Sequence, residues 1–152
     1  MLEKDILAYH YAEIEGVQNV QKFAPRIITT AMLPCLVLFA DTLETLERGS
    51  MLTKKQRSLR AVLFVQQYGM GSEEGGYLST DPFFSRVEDY FERRTTLALA
   101  DGTTDLTHEY MNDEGETLTP YPTGKAEVGQ FWSITFNHRF EIVKHVIYQS
   151  GE

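Results

Sequence analysis

The sequence predicts an α+β fold: a mainly antiparallel sheet, two main helices packed on one of its faces, and a long C-terminal strand. Three observations predict it. The run "WSITFNHRFEIV", from Trp132 to Val143, alternates apolar and polar side chains, which is the period of a half-buried strand. Two other stretches, at the start of the chain and after Asp81, place apolar residues at helical spacing. Several strand-like runs precede the second helix, an order that suits α+β better than a regular βαβ alternation.

The first helix rests on Leu2, Ile6, His10 and Ile14, which recur at four-residue steps, with Leu7 and Tyr11 on the same face. Gly16 is its natural stop. "VQNVQ" reads as a short strand. "FAPRIITTAMLP" reads as an irregular connection broken by Pro25 and Pro34. "CLVLFA" is a continuous apolar run, short enough for a strand buried on both faces. The segment "DTLETLERGSMLTKKQ" has two readings: a helical turn built on Leu43 and Leu46, or a strand leading into a hairpin that turns at Gly49–Ser50. In "RSLRAVLFVQQY", Leu59, Ala61, Leu63 and Val65 share one face, and the partly apolar other face predicts a central strand.

"GMGSEEGGYLST" reads as a glycine-rich surface loop, expected to be mobile. The second helix is expected to start with Asp81 as N-cap and Pro82 as first helical residue, and to end at Asp101–Gly102. Phe84, Val87 and Phe91 form its stripe, widened by Phe83 and Tyr90. "TDLTHEYM" is a further strand, and residues 112–129 a polar excursion expected to be mobile. The final strand covers Trp132, Ile134, Phe136, His138 and Phe140 on one side, and continues into "KHVIYQ". The eleven alternating residues from Trp132 to Ile142 would reach about 36 Å, well beyond the usual strand of about 5–6 residues. Such a strand with a polar outer face is a poor edge for a lone subunit, because its unpaired backbone groups invite a neighbour.

Composition bounds the function. The 152 residues suit one domain, 1–152, with a sizeable core. A net charge of −8 argues against phosphate-backbone binding, so no nucleic acid is expected. The single cysteine, Cys35, excludes an internal disulfide and sits among apolar neighbours that raise a thiol's pKa. The first residues carry charges throughout rather than a signal-peptide core, and no run is apolar enough to span a membrane, so folding in a cytosol is expected.

Catalytic patterns are missing at the level of spacing. His10, His108, His138 and His145 have no metal-ligand spacing, and His138 lies on the apolar side of its strand as a core or interface histidine. "GMGSEEGG" lacks the Lys-Ser/Thr of a phosphate loop, and "NDEGE" lacks the ligand alternation of a calcium loop. The acidic runs read as solvated loop charge. Lys54, Lys55, Arg57 and Arg60 form a local basic cluster, read either as a solvated strand edge or as a salt-bridging interface facing acidic residues such as Glu73 and Glu74 of a neighbour. The chain is therefore expected not to be an enzyme and to need no cofactor or metal.

The stretch "ILAYHYAEIEGVQNVQKFAPRIITTAMLPCLVLF" resembles the opening of the small tail-terminator, or tail-completion, proteins of long-tailed bacteriophages. The resemblance rests on Ile14–Gly16–Val17 at the end of the first helix, Ala24–Pro25, and Leu33–Pro34 before an apolar strand. "RAVLFVQQYG", the helix from Asp81, and "GQFWSITFNHRFEIV" resemble the later elements in order. Segments 42–56 and 112–129 are additions to that pattern. The resemblance implies a structural virion protein found in the tail or neck, present in the host cytoplasm during assembly. It implies a homohexameric ring that caps the head-proximal end of the tail tube and enables head–tail joining. Its partners would be copies of itself, the tail tube protein and a head–tail connector protein. The alternatives are another phage neck, connector or tail structural protein, or a non-viral adaptor domain.

Overall fold

The computed structural model describes residues 2–26, 28, 30–49, 52–66, 73–98, 105–111, 118–122 and 130–145. Helix α1 (Leu2–Ala12) leads to strand β1 (Asn19–Gln21), a 3-10 turn (Thr30–Met32), strand β2 (Cys35–Arg48) and strand β3 (Leu52–Gln66). Helix α2 (Glu73–Phe91) follows, then strands β4 (Thr96–Ala98), β5 (Asp105–Tyr110), β6 (Leu118–Pro122) and β7 (Gln130–His145). The sheet order is β1-β2-β3-β7-β5-β4, with β6 also paired to β7. Only β1 and β2 run parallel; the other pairs are antiparallel. The expected α+β class, with both helices on one face and a long final strand, is what the chain forms.

Side-chain alternation sorts the sheet into two faces. On the helix-covered face lie Leu36 and Leu38 of β2, Leu59, Ala61, Leu63 and Val65 of β3, and Trp132, Ile134, Phe136 and Phe140 of β7. Ile6, Leu7 and Tyr11 of α1 and Val87 and Phe91 of α2 close the same core. The opposite face has a smaller cluster: Cys35, Val37, Val62 and Phe64, covered by Ile28 with Met32 and Leu33. So β2 begins buried on both faces, as its unbroken apolar run requires. The Leu33–Pro34 peptide that delivers the chain to it is cis.

The length of β7 has a direct cause. It pairs with β3 from Leu52↔His145 through Gln66↔Phe131 without interruption. Its other flank takes β6 along Gln130–Ile134 and β5 along His138–Glu141. β7 is thus an interior strand, not the open edge its length suggested. The longest one-sided strand stretch among the described residues belongs to β2, which beyond Val37 has β3 alone as a strand partner; the short β4 and β6 also have a single partner each. Residues 41–46 of β2 are exposed, although Thr42, Leu43, Glu44 and Thr45 are paired with β3. The uncertain segment 42–48 is therefore strand, with register shifts between Ala40 and Thr42 and between Thr45 and Glu47.

Three boundaries depart from expectation. α2 starts at Glu73 rather than after Asp81, so two thirds of the presumed glycine-rich loop is helix and Pro82 lies inside it. Proline removes one helical hydrogen bond, to the carbonyl four residues back, and the helix continues across that gap. α2 ends at Phe91, and the Thr95–Thr96 pair favours the extended strand β4 over further helix. Part of the 112–129 excursion, Leu118–Pro122, is strand β6. The remaining expected loop residues, 67–72, 112–117 and 123–129, the stop at Asp101–Gly102, and the continuation past His145 lie outside the described residues.

Gly16 ends the α1 region with a φ of 90°, a conformation that disfavours any side chain. A Cβ there would also lie 2.8 Å from Arg86 Nη1 and 3.0 Å from Phe83 Cε1. Arg86 Nη1 donates to the Glu15 carbonyl at 3.0 Å, so this turn is the seat of α2 on the N-terminal segment.

Candidate functional site

The four cations of the sequence cluster are all on β3, and strand alternation divides them. Arg60 and Lys54 point to the face away from the helices, whereas Arg57 and Lys55 share the phase of the core residue Leu59. Arg60 Nε donates to both carboxylate oxygens of Asp41 at 3.0 and 2.9 Å, and its guanidinium lies 5.1 Å from the Phe39 ring centroid. Lys54 pairs with Glu141 at 3.1 Å. Arg57 stands 3.7 Å from Glu3 of α1, whose side chain is only 8% exposed. That separation is too long for a hydrogen bond and acts as a charge contact between helix and sheet. Glu73 and Glu74 open α2 rather than sitting in a loop; their side chains lie outside the described residues.

The sheet face away from the helices becomes polar beyond its small apolar cluster. Arg139 of β7 donates to Glu109 of β5. With its amide oxygen turned toward the guanidinium, Gln56 of β3 accepts from Arg139 Nη1 at 3.0 Å and Nε at 3.2 Å. Gln56, Thr107, His108, Glu109, Arg139 and Glu141 line an open depression of about 110 Å³. Lys54–Glu141, Gln56–Arg139–Glu109 and Asp41–Arg60 thus form a cross-strand ladder of mostly paired charges. Among the described residues, no group of three His, Cys, Asp or Glu side chains could hold a metal ion.

The other polar constellation is inside the core, and sequence spacing does not reveal it. His108 of β5 is opposite Phe140 and His138 of β7 is opposite Tyr110, so the two histidines are diagonal neighbours. His108 Nε2 and His138 Nδ1 are 2.8 Å apart. His138 Nε2 meets the Tyr11 hydroxyl at 2.5 Å, and His108 Nδ1 meets the Arg94 carbonyl at 3.3 Å. Chemistry fixes the proton positions. A carbonyl only accepts, so His108 carries its hydrogen on Nδ1 and accepts at Nε2. His138 must then donate from Nδ1 and accept from Tyr11 at Nε2. Burial pushes both imidazoles down, His108 to about 4 and His138 well below its ordinary value, so both are neutral at neutral pH. Burial likewise pushes the Tyr11 hydroxyl far up.

The available signal was phase: His108 lies between Leu106 and Tyr110 in β5, and His138 between Phe136 and Phe140 in β7. Each histidine sits at a core position of its strand, but their juxtaposition depends on the β5–β7 pairing. His10 has a separate, half-buried setting, with Nε2 donating to the Ala98 carbonyl at 2.8 Å and Nδ1 accepting from the Tyr90 hydroxyl at 2.6 Å. Cys35 is fully buried, and burial raises its thiol pKa, leaving it a packed core side chain.

Fold and surface together define a class: an α+β chain with a helix-backed sheet and a polar, charge-laddered open face. Among the described residues, no helix is long and apolar enough to cross a membrane. No family model matches the sequence, and no curated protein matches it.

Proposed function

We propose that this protein is a structural component of the virion of a long-tailed bacteriophage, a tail terminator. In this reading it forms a ring of six, caps the head-proximal end of the tail tube and offers the surface on which the head is joined. The observation that carries the reading is the order of elements. A helix that ends at Ala12 is followed by a turn at Gly16, a proline precedes the buried strand β2, and β3, the second helix and a long closing strand follow. Two features of the fold support an assembly role. The β2 edge leaves backbone donors and acceptors open to a neighbour beyond Val37. The polar sheet face carries charges arranged for recognition rather than for chemistry.

Contacts that repeat head to tail and close on themselves produce a ring. The register shifts at Asp41 and Leu46 restrict what can pair on the β2 edge, which favours one partner geometry over open-ended stacking. Exposed ion pairs, including any between Lys54, Lys55, Arg57 or Arg60 and Glu73 or Glu74 of a neighbour, contribute only about 0–1 kcal/mol each. They would set register, while buried apolar area supplies affinity. The reading assigns no catalysis and no cofactor.

The test is direct binding. Purified protein mixed with tail tubes and viewed by negative-stain electron microscopy should cap one end of each tube with a ring. Coating along the tube wall, or tubes left bare at both ends, would count against the proposal.

A further inference from the structure

The Tyr11–His138–His108 chain is a buried polar path that joins four segments through the apolar core. Tyr11 belongs to α1, His138 to β7 and His108 to β5, and the Arg94 carbonyl follows the last turn of α2. The His108 backbone N–H also donates to the Thr95 carbonyl at 2.8 Å, fixing the same post-helix segment to β5. Both histidines and Tyr11 are buried, and the rings around them are aromatic. Phe91 lies edge-on to His138 at 4.7 Å between centroids, and Phe140 is 5.1 Å from His108.

We propose that this chain is an acid-operated latch, holding α1 and the end of α2 on the sheet while both imidazoles are neutral and releasing them when the pair takes up one proton. The geometry dictates the consequence of protonation. His108 Nδ1–H stays on the carbonyl, which can only accept. The added proton goes to one of the two accepting nitrogens, His138 Nε2 or His108 Nε2, the second requiring His138 to move its hydrogen from Nδ1 to Nε2; either way His138 ends with a hydrogen on Nε2, facing the Tyr11 oxygen. The Tyr11 hydroxyl loses the acceptor it had, and a positive charge lies among Phe91, Phe136 and Phe140. The contact that changes first is the one that holds α1: the Tyr11 oxygen must turn from donor to acceptor, and its hydrogen is left without a partner among aromatic rings.

The surrounding charges do not offset this. From α2, Glu88 accepts from the Tyr110 hydroxyl at 3.2 Å, and Arg94 Nη1 is committed to the Tyr90 carbonyl at 2.5 Å. From β5, Glu109 is paired with Arg139 on the opposite sheet face. From β3, the residue opposite His138 is Leu59. From α1, His10 bonds to Tyr90 and Ala98 and is itself lowered by burial, so it acts in the same direction through a separate contact.

The experiment is backbone hydrogen exchange on the full chain from about pH 7 to about pH 4.5, corrected for intrinsic exchange. Protection of the α1 amides should fall by about tenfold or more, while the β3–β7 ladder keeps its own. In His108→Gln, whose amide can donate to the Arg94 carbonyl but does not titrate, the α1 loss should shrink. Unchanged α1 protection in the wild type, uniform loss across helices and sheet, or an equal loss in His108→Gln would overturn the latch. Should that variant not fold, imidazole nitrogen-15 spectra of the wild type decide. Both buried rings should be neutral and Nδ1-protonated at about pH 7. A charged ring, or a hydrogen on Nε2 of either, would overturn it.

Discussion

Trp132 is 6% exposed and its indole Nε1 has no hydrogen-bond partner among the described residues. The side chain therefore acts through packing alone, and Trp132→Ala should lower stability by about 3–5 kcal/mol. A urea midpoint unchanged by that substitution would remove Trp132 from the core. Tyr11→Phe keeps the ring against Phe91 but leaves His138 Nε2 unpaired. It should cost about 1–3 kcal/mol, read as a shift of the same midpoint. His108 supplies a pH dependence with a definite sign. Its folded value, about 4, lies below the ordinary 6.5, so folding favours the neutral ring. Stability from this group is complete above about pH 6.5 and is lost as pH falls toward about 4, up to about 3 kcal/mol. Denaturant midpoints that rise as pH falls through that window would contradict the assignment. At this scale the sequence was informative about burial and silent about partners. Alternation alone placed Trp132, Phe136 and His138 on the covered side, whereas the His108–His138 contact bridges strands separated by a long excursion.

Among elements, the strands announced themselves by period and the boundaries did not. β3 and β7 were legible because each presents a long alternating face, and the two-sided start of β2 because "CLVLFA" is apolar throughout. α2 was misplaced at both ends for opposite reasons. Gly75 and Gly76 argue locally against helix, and Pro82 resembles a helix start, yet the helix runs through all three. Leu97 at the far end suits a helical stripe but is buried in β4. β4 and β6 are too short to carry a period of their own; their pairing to β5 and β7 makes them strands. The joint between the N-terminal segment and α2 provides a test. Gly16→Ala places a methyl group at a positive φ and against Arg86 and Phe83. A loss of about 1–3 kcal/mol is expected, and wild-type stability would show that the turn relaxes freely. Arg57→Ala tests the helix–sheet charge contact. It leaves the buried Glu3 carboxylate without its cation, at a cost on the order of 2 kcal/mol. Adding Glu3→Gln should recover part of that loss if the two charges interact.

For the molecule as a whole, the helices cover one sheet face, and the other is polar beyond its small apolar cluster. The fold class was predictable because an α+β order and two amphipathic periods leave few alternatives. The surface was not, because strand parity splits the Lys54, Lys55, Arg57 and Arg60 cluster between the two faces, and because partners come from β2, β5 and β7. The open edge also moved, from the long closing strand to β2. In the proposed ring, these placements make β2 and the polar face the contact surfaces, and mutating single rim charges should change salt dependence more than assembly. The most direct test of the proposed tail-terminator role is electron microscopy of phage particles produced without this protein. The account predicts tails that are overlong or unterminated and fail to join filled heads, with restoration when the protein is supplied in trans. Tails of normal length joined to heads in its absence would contradict it.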